Sequence, residues 1–296
     1  MFHRDFMEYH SDRFKEASLL IFRNDKLVAV FPMNAVGNTV ISHQGLTYGG
    51  LLFGTNVKFN HVLAIFRAVL KHLSESKITT LGLKVLPDIY ASFPNDELKY
   101  LMFILQAKLE RRDVLSVIPL SEVVKRSKDR KEGTKRGVKN GLVVKEETQM
   151  EGFWKSLLEV NLQEKYKTKP VHSLEEIQLL KSRFPKNIRQ FNVYHKNRLV
   201  AGTTIFETEH VAHSQYISGN NENNTLGSLD FLHSYLIDTV FKDKKYFDFG
   251  ISNENAGKNI NSGLLYWKEG FGARTVTQDF YSIQTNKYTL LDAVLL

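Results

Sequence analysis

Lys268 stands in the run Tyr266-Trp267-Lys268-Glu269-Gly270-Phe271-Gly272, one cation among aromatic side chains and glycines. An ammonium in that setting can hold a phosphate or polarise an oxygen as a point charge; the alternative is a surface lysine beside Glu269. Asp248 alternates with Phe247 and Phe249 and so points away from both. It serves as a base, orients one, caps a strand end or pairs with a lysine. Tyr216 falls on the strand-like run Val211 to Ser218, as an acid, a stacking group or a packed core tyrosine. In the first half, His43, Thr47 and Tyr48 are interleaved with Gly45, Gly49 and Gly50. That loop either lines an acceptor cleft between halves or is a plain turn. His210 and His213 are three apart and face opposite sides of a strand, so no metal pair is expected. With no His-Glu-x-x-His pattern and no P-loop signature, neither metal chemistry nor nucleotide hydrolysis is expected. The chain has no cysteine, which removes thiol nucleophiles, zinc–thiolate sites and disulfides.

The elements that must position these residues repeat. Asn24-Asp25-Lys26-Leu27-Val28-Ala29 and Lys196-Asn197-Arg198-Leu199-Val200-Ala201 each place a polar turn and a basic residue before Leu-Val-Ala. Each follows an apolar run, the pattern of a β-hairpin. After the first hairpin come a strand at 39–42, a glycine-rich loop and a helix with Val62, Phe66, Val69, Leu70 and Leu73 on one face. A strand at 79–85 follows. After the second come a strand at 211–218, an asparagine-rich loop and a helix carrying Leu229, Leu232, Leu236 and Val240 on one face. A strand at 246–251 follows. The repeat predicts an α/β (α+β) chain of two similar units: a truncated one over 1–120, a basic connector at 121–140 and a complete one over 141–296. The second opens with a strand at 141–146 and two helices. Ser173 and Glu176 form a capping box on the second helix. It closes with a helix at 263–269 and a strand at 274–283.

The 296 residues, 42% hydrophobic and 24% charged, suit two ordinary folded cores. The net charge of +8 is concentrated: eight cations between Lys125 and Lys139 stand against only Asp129 and Glu132. A local positive field fits a phosphate-bearing partner, and a solvated connector is the plainer account. The charged start and the lack of a long apolar run predict a cytoplasmic protein with no membrane span.

Strand, two helices, three antiparallel strands, helix, strand, helix, strand is the element order of the GNAT-type acyltransferase fold. Two copies in one chain resemble the FemAB-like family, whose members attach amino acids to cell-wall precursors. Phe247-Asp248-Phe249-Gly250 followed by Tyr266-Trp267-Lys268 and Phe271-Gly272 resembles that family's late motif. Lys135-Arg136 with Lys139-Asn140-Gly141 resembles the basic entry to its second domain. His43 to Gly50 with Leu86-Pro87-Asp88-Ile89-Tyr90 looks like a subgroup found with bacterial surface-polysaccharide proteins. The resemblance implies two tandem GNAT-like domains with mixed, mostly antiparallel sheets flanked by helices. It implies an acyltransferase with acyl-CoA as co-substrate or, in the alternative, aminoacyl-tRNA. The acceptor would be a nucleotide-linked or lipid-linked saccharide or a peptidoglycan precursor. Backbone groups near Gln215, Tyr216 and Ile217 would polarise the donor carbonyl. Asn224, Thr225, Gly227 and Ser228 would hold its phosphates at a helix N-terminus, unless Asn224 or Thr225 only caps that helix. Lys268, Tyr216 and Asp248 would serve catalysis, and His43, Thr47, Tyr48, Lys135 and Arg136 the acceptor. A non-catalytic binding protein on the same fold is the rival from another class.

Overall fold

The computed structural model describes residues 2–295. Along the chain run β1 (Leu19–Arg23), β2 (Lys26–Phe31), β3 (Asn34–Val36), β4 (Thr39–Ile41), α1 (Phe59–Glu75), β5 (Thr80–Lys84), α2 (Glu97–Ile104) and β6 (Lys108–Pro119). Next come α3 (Lys128–Lys139), β7 (Val143–Glu147) and α4 (Glu159–Tyr166), the last entered through Glu151–Phe153 and the π-turn Trp154–Leu158. Then follow α5 (Leu174–Arg183), β8 (Ile188–His195), β9 (Arg198–Glu207) and β10 (Val211–Gly219). After the single turn Asn223–Leu226 come α6 (Ser228–Tyr235), extended by the π-turn Leu236–Val240, then β11 (Tyr246–Ile251), α7 (Ser262–Glu269) and β12 (Arg274–Gln284).

Local chemistry accounts for most of these boundaries. Asn24, Asp25, Lys196 and Asn197 all take positive φ, between 48° and 62°. That is the backbone of a type I′ turn, whose twist matches the flanking strands. Both halves of the capping box at α5 form: Ser173 Oγ accepts from Glu176 N–H at 3.2 Å, and Glu176 Oε2 accepts from Ser173 N–H at 2.8 Å. The apolar face of α1 is buried as its periodicity requires, Val62, Phe66 and Leu70 completely.

The chain forms two compact units, and their limits differ from the sequence expectation. The first holds the residues up to Asp113, Asn255–Lys258 and those from Thr277 on; the second holds Val114–Glu254 and Asn259–Val276. Segment 121–140 is therefore no connector. Its basic run forms α3, capped by Ser127, whose Oγ accepts from Arg130 N–H, and packed on α6. This helix has no apolar stripe; it meets its neighbour through glycines. A Cβ on Gly133 would lie 1.7 Å from Asp230 Oδ2, and one on Gly137 2.5 Å from Phe231 Cβ.

In the second unit the sheet runs β7-β8-β9-β10-β11 and ends on Val114–Pro119 of β6. All pairings are antiparallel except β10 with β11. In the first unit β3-β4-β5 is completed by the later part of β12, again with one parallel pair, β4 with β5. Each unit thus contains the predicted strand–helix–parallel strand, with α1 and α6 as the crossovers. The first hairpin departs from the repeat: β1 pairs with β2, and β2 with Leu52–Phe53, in a separate small sheet rather than with β4.

Candidate acyl-donor cleft

The site begins with a misfit between β10 and its neighbours. On one side β10 is parallel to β11 only from Val211↔Tyr246 to His213↔Asp248. On the other side, the register with β9 jumps from Ile205↔Ser214 to Thr204↔Tyr216, leaving Gln215 as an extra residue. Such a bulge bends its strand and ends pairing, and it falls directly after the last pair with β11. The two strands therefore part. Asn220 N–H still bonds Val200 O on the β9 side. By the alternation of an antiparallel ladder, the backbone groups of Ile217 and Gly219 then point the other way, into the gap. Asn161 Nδ2 confirms the direction by donating to Gly219 O at 2.9 Å.

A cleft of about 500 Å³ lies against this freed end of β10, walled by α4, the β10 end with the 220–224 loop, and the start of α7. Its polar lining is mostly carboxamide: Asn161, Asn220, Asn221, Asn223, Asn224 and Asn261, with Lys165 at α4 the one ammonium. Leu158, Leu162, Ile217, Leu264 and Trp267 supply the apolar part. Several asparagines are committed to positioning. Asn223 Oδ1 accepts from Leu229 N–H and Ser228 Oγ–H, both at 2.9 Å, at the start of α6. Asn261 caps α7 by accepting from Leu264 N–H at 3.0 Å. A smaller cavity of about 290 Å³ shares Asn223, Asn224 and Trp267 and adds Arg136 and Arg130 of α3. Arg130 is bound to Asp230 at 2.8 Å, which also accepts from Trp267 Nε1 at 2.8 Å; burial raises the Asp230 pKa. Arg136 is exposed.

The expected residues are distributed unevenly over this geometry. Ile217 and Asn224 line the cleft. Thr225, Gly227 and Ser228 do not: Thr225 is exposed, Ser228 is buried under Asn223, and Gly227 is a turn residue at φ +71° whose Cβ would lie 2.1 Å from Gly133 O. Neither Asn224 nor Thr225 caps α6: its N-cap is Gly227, and Asn223 accepts from the N–H of Leu229. Lys135 is an exposed partner of Glu132, while Arg136 reaches the smaller cavity. Tyr216 is buried away from the cleft, with its ring 4.9 Å from Trp154. Its hydroxyl accepts from His172 N–H at 3.2 Å and lies 2.6 Å from His172 Nδ1; burial pushes its pKa up to about 12.

Lys268 is likewise turned inward. Its ammonium is buried and donates to Gly250 O at 3.1 Å and Ile251 O at 2.6 Å, the last carbonyls of β11. Desolvation lowers its pKa to about 8, opposed by Asp248. The aromatic setting seen in the sequence divides: Phe271 is buried in the core, Trp267 lines both cavities and Tyr266 is exposed, while the ammonium faces the end of β11. The first-unit loop is also interior: His43 stacks on His10 at 5.0 Å, Tyr48 on Tyr90 at 4.3 Å, and Thr47 O accepts from Gln278 Nε2. Desolvation, reinforced by His10, lowers the His43 pKa to about 4. Lys84 ties the loop down by donating to the carbonyls of Gln44 and Leu46.

One pairing was missed from the sequence. Asp248 is fully buried; one carboxylate oxygen lies 2.8 Å from His213 Nδ1 and the other accepts from Gly250 N–H at 2.7 Å. His213 Nε2 lies 3.1 Å from Gln215 Oε1. The His–Asp dyad thus occupies the last paired position before the strands separate. Each ring nitrogen thus has a side-chain partner, Asp248 at Nδ1 and the Gln215 amide at Nε2, and a half-turn of that amide exchanges its oxygen for its nitrogen. Both residues fall on strands visible in the sequence, and only the parallel register, which is not, joins them.

No family model matches the chain, and no curated protein does. Solved structures do. FemX superposes with a TM-score of 0.67 at 10% identity over 93% of this chain and 90% of its own. L-PGS from Bacillus licheniformis gives 0.58 at 11% identity over 98% and 96%, and the C-terminal domain of a putative lysylphosphatidylglycerol synthetase from Agrobacterium fabrum gives 0.60 at 9% identity over 97% and 90%. A tandem GNAT protein from the clavulanic acid biosynthesis pathway gives 0.51 at 12% identity over 95% and 93%. At such identities the likeness concerns the fold and not the reaction. The chain has the GNAT-type fold that these structures share, in two units.

Proposed function

We propose that the second unit binds an acyl or aminoacyl donor in the cleft at the freed end of β10. The group would pass to an amine or hydroxyl of a cell-wall or surface-polysaccharide precursor. The observation that carries this reading is the bulge at Gln215. It frees backbone donors of Ile217 and Gly219 at the head of a cleft large enough for a drug-sized ligand. Such N–H groups, fixed before the donor arrives, suit the oxyanion that develops on its carbonyl. The acceptor lone pair forms a bond to that carbonyl carbon while the C–S bond of a thioester, or the C–O bond of an aminoacyl ester, breaks. The proton lost by the acceptor ends on the departing thiol or hydroxyl. His213 in its neutral form, oriented by Asp248, is the base we assign to carry it. Lys268 acts through β11, holding the carbonyls of Gly250 and Ile251 at the strand's end. The donor's phosphates would meet Asn224, Lys165 and Arg136 at the cleft mouth.

A second reading, aminoacyl-tRNA as donor, is favoured by α3. Lys128, Lys131, Lys135, Arg136 and Lys139 crowd one short helix beside the smaller cavity, and such a cluster tracks a phosphate backbone. The neighbours' names, FemX and putative lysylphosphatidylglycerol synthetase, accord with an aminoacyl group and with a peptidoglycan or lipid acceptor. Thermal unfolding with acetyl-CoA, free CoA and aminoacyl-tRNA separates the readings, since a ligand of the native state raises the midpoint by mass action. A shift with a CoA compound, abolished by Gly219→Val in the cleft floor, supports the first. A shift with tRNA that falls steeply with salt supports the second. Neither shift would leave the fold a non-catalytic scaffold.

A further inference from the structure

The first hairpin carries a surface that the transfer reading does not use. Strands in a half-buried sheet alternate apolar and polar, yet β1 is apolar on both faces. Leu19 and Ile21 pack toward the core of the first unit, while Leu20 and Phe22 are 61% and 57% exposed and Leu27, opposite Phe22, is 48% exposed. Beside them lies a groove of about 380 Å³ between the hairpin and α1, lined by Ile21, Phe22, Val28, Ala64 and Ile65. The polar groups at its rim are basic. Arg23 reaches His61 of α1. Lys26 is the cross-strand partner of Arg23, and exposed Lys58 precedes α1. Asp25 is the only acidic residue of the turn. Like charges directly opposite each other in a hairpin are unfavourable, and an anion lying between Arg23 and Lys26 removes that repulsion.

We propose that this hairpin tip and groove dock on an anionic lipid bilayer, with Leu20, Phe22 and Leu27 entering the interface and Arg23, Lys26 and Lys58 meeting lipid phosphates. Exposed apolar side chains flanked by lysine and arginine are the composition that interfacial binding needs. The cations disfavour a second copy of the same surface as the occupant. The proposal is independent of the transfer reading, and so is its test.

The full chain is sedimented with vesicles of phosphatidylcholine alone and of phosphatidylcholine mixed with phosphatidylglycerol. Binding is expected on the mixed vesicles only. Phe22→Ser with Leu27→Ser abolishes it, and Arg23→Gln with Lys26→Gln weakens it roughly 25-fold, about five-fold per cation. Phe103→Ser, at a still more exposed apolar residue on α2, leaves it unchanged. Since every changed side chain is exposed, folding is checked by an unaltered melting curve. A Phe22→Trp chain keeps the surface, and its emission shifts to the blue with mixed vesicles. No binding, equal binding to the neutral vesicles, or binding indifferent to the double variants would overturn the proposal. So would a blue shift that follows protein concentration without lipid, which marks self-association.

Discussion

Lys268→Met retains most of the side-chain stem and removes a charge that the fold holds out of water. Unfolded, the ammonium loses its proton near 10.5; folded, desolvation brings this to about 8. Between those values the unfolded chain holds more protons, so stability rises with pH, and the gain is complete above 10.5 and lost as pH falls through 8. The difference corresponds to about 3 kcal/mol against the charged form. Below pH 8 the two bonds to Gly250 O and Ile251 O offset part of it, because hydrogen bonds to charged groups contribute roughly 1.5–3 kcal/mol each. The neutral amine above pH 8 still donates to one or both. Lys84 is lowered to about 8 by the same cause, but it is present in both proteins and cancels from their difference. Urea unfolding followed by far-ultraviolet dichroism at about pH 7 and 9.5 should show the wild-type chain gaining about 2 kcal/mol on the variant. Parallel pH curves would refute the reasoning, since they mean that the ammonium is solvated in the folded protein. In a transfer assay the variant should lose kcat through displaced β11 rather than raise KM alone.

Tyr216→Phe removes a hydroxyl held by His172 on the far side of β10. It should lower stability by about 1–2 kcal/mol with kcat unchanged, and a hundredfold loss of kcat with normal stability would restore tyrosine as the acid. Gly227→Ala forces a side chain into a left-handed turn against Gly133 O. It should destabilise by roughly 1–3 kcal/mol or more, read as a lower melting temperature, and a neutral result would refute the close approach of α3 to α6.

What could be read from the sequence was what short-range chemistry decides. The dipeptides Asn24-Asp25 and Lys196-Asn197 specify their own turns, and Ser173 with Glu176 specifies a helix start. The apolar spacing of α1 needs no distant partner to be seen. Helix α3 was hidden because glycine contact with α6, not an apolar stripe, holds it. Strand β6 was hidden because its first residues, Lys108-Leu109-Glu110-Arg111-Arg112, read as solvated polar chain. Lys268 was misplaced for a related reason: a lysine among aromatics looks the same whether the rings line a cleft or seal a core, and only the carbonyls of Gly250 and Ile251 decide. The His213–Asp248 bond depends on parallel register, which no local pattern encodes.

The late strand β12 gives the first unit an unusual timetable. Phe280 and Tyr281 pair with Lys84 and Leu83, almost two hundred positions earlier. During synthesis β5 therefore waits with one open edge until nearly the whole second unit has left the ribosome. Closing so long a loop adds little to its entropy, which grows only with the logarithm of length, but it delays the contact and raises the contact order that slows folding. An open strand edge in a nascent chain is a template for pairing with a neighbouring chain. The two halves should therefore complete as one event, and a ribosome stalled before Thr277 would hold a first unit that is collapsed, sticky and dependent on chaperones.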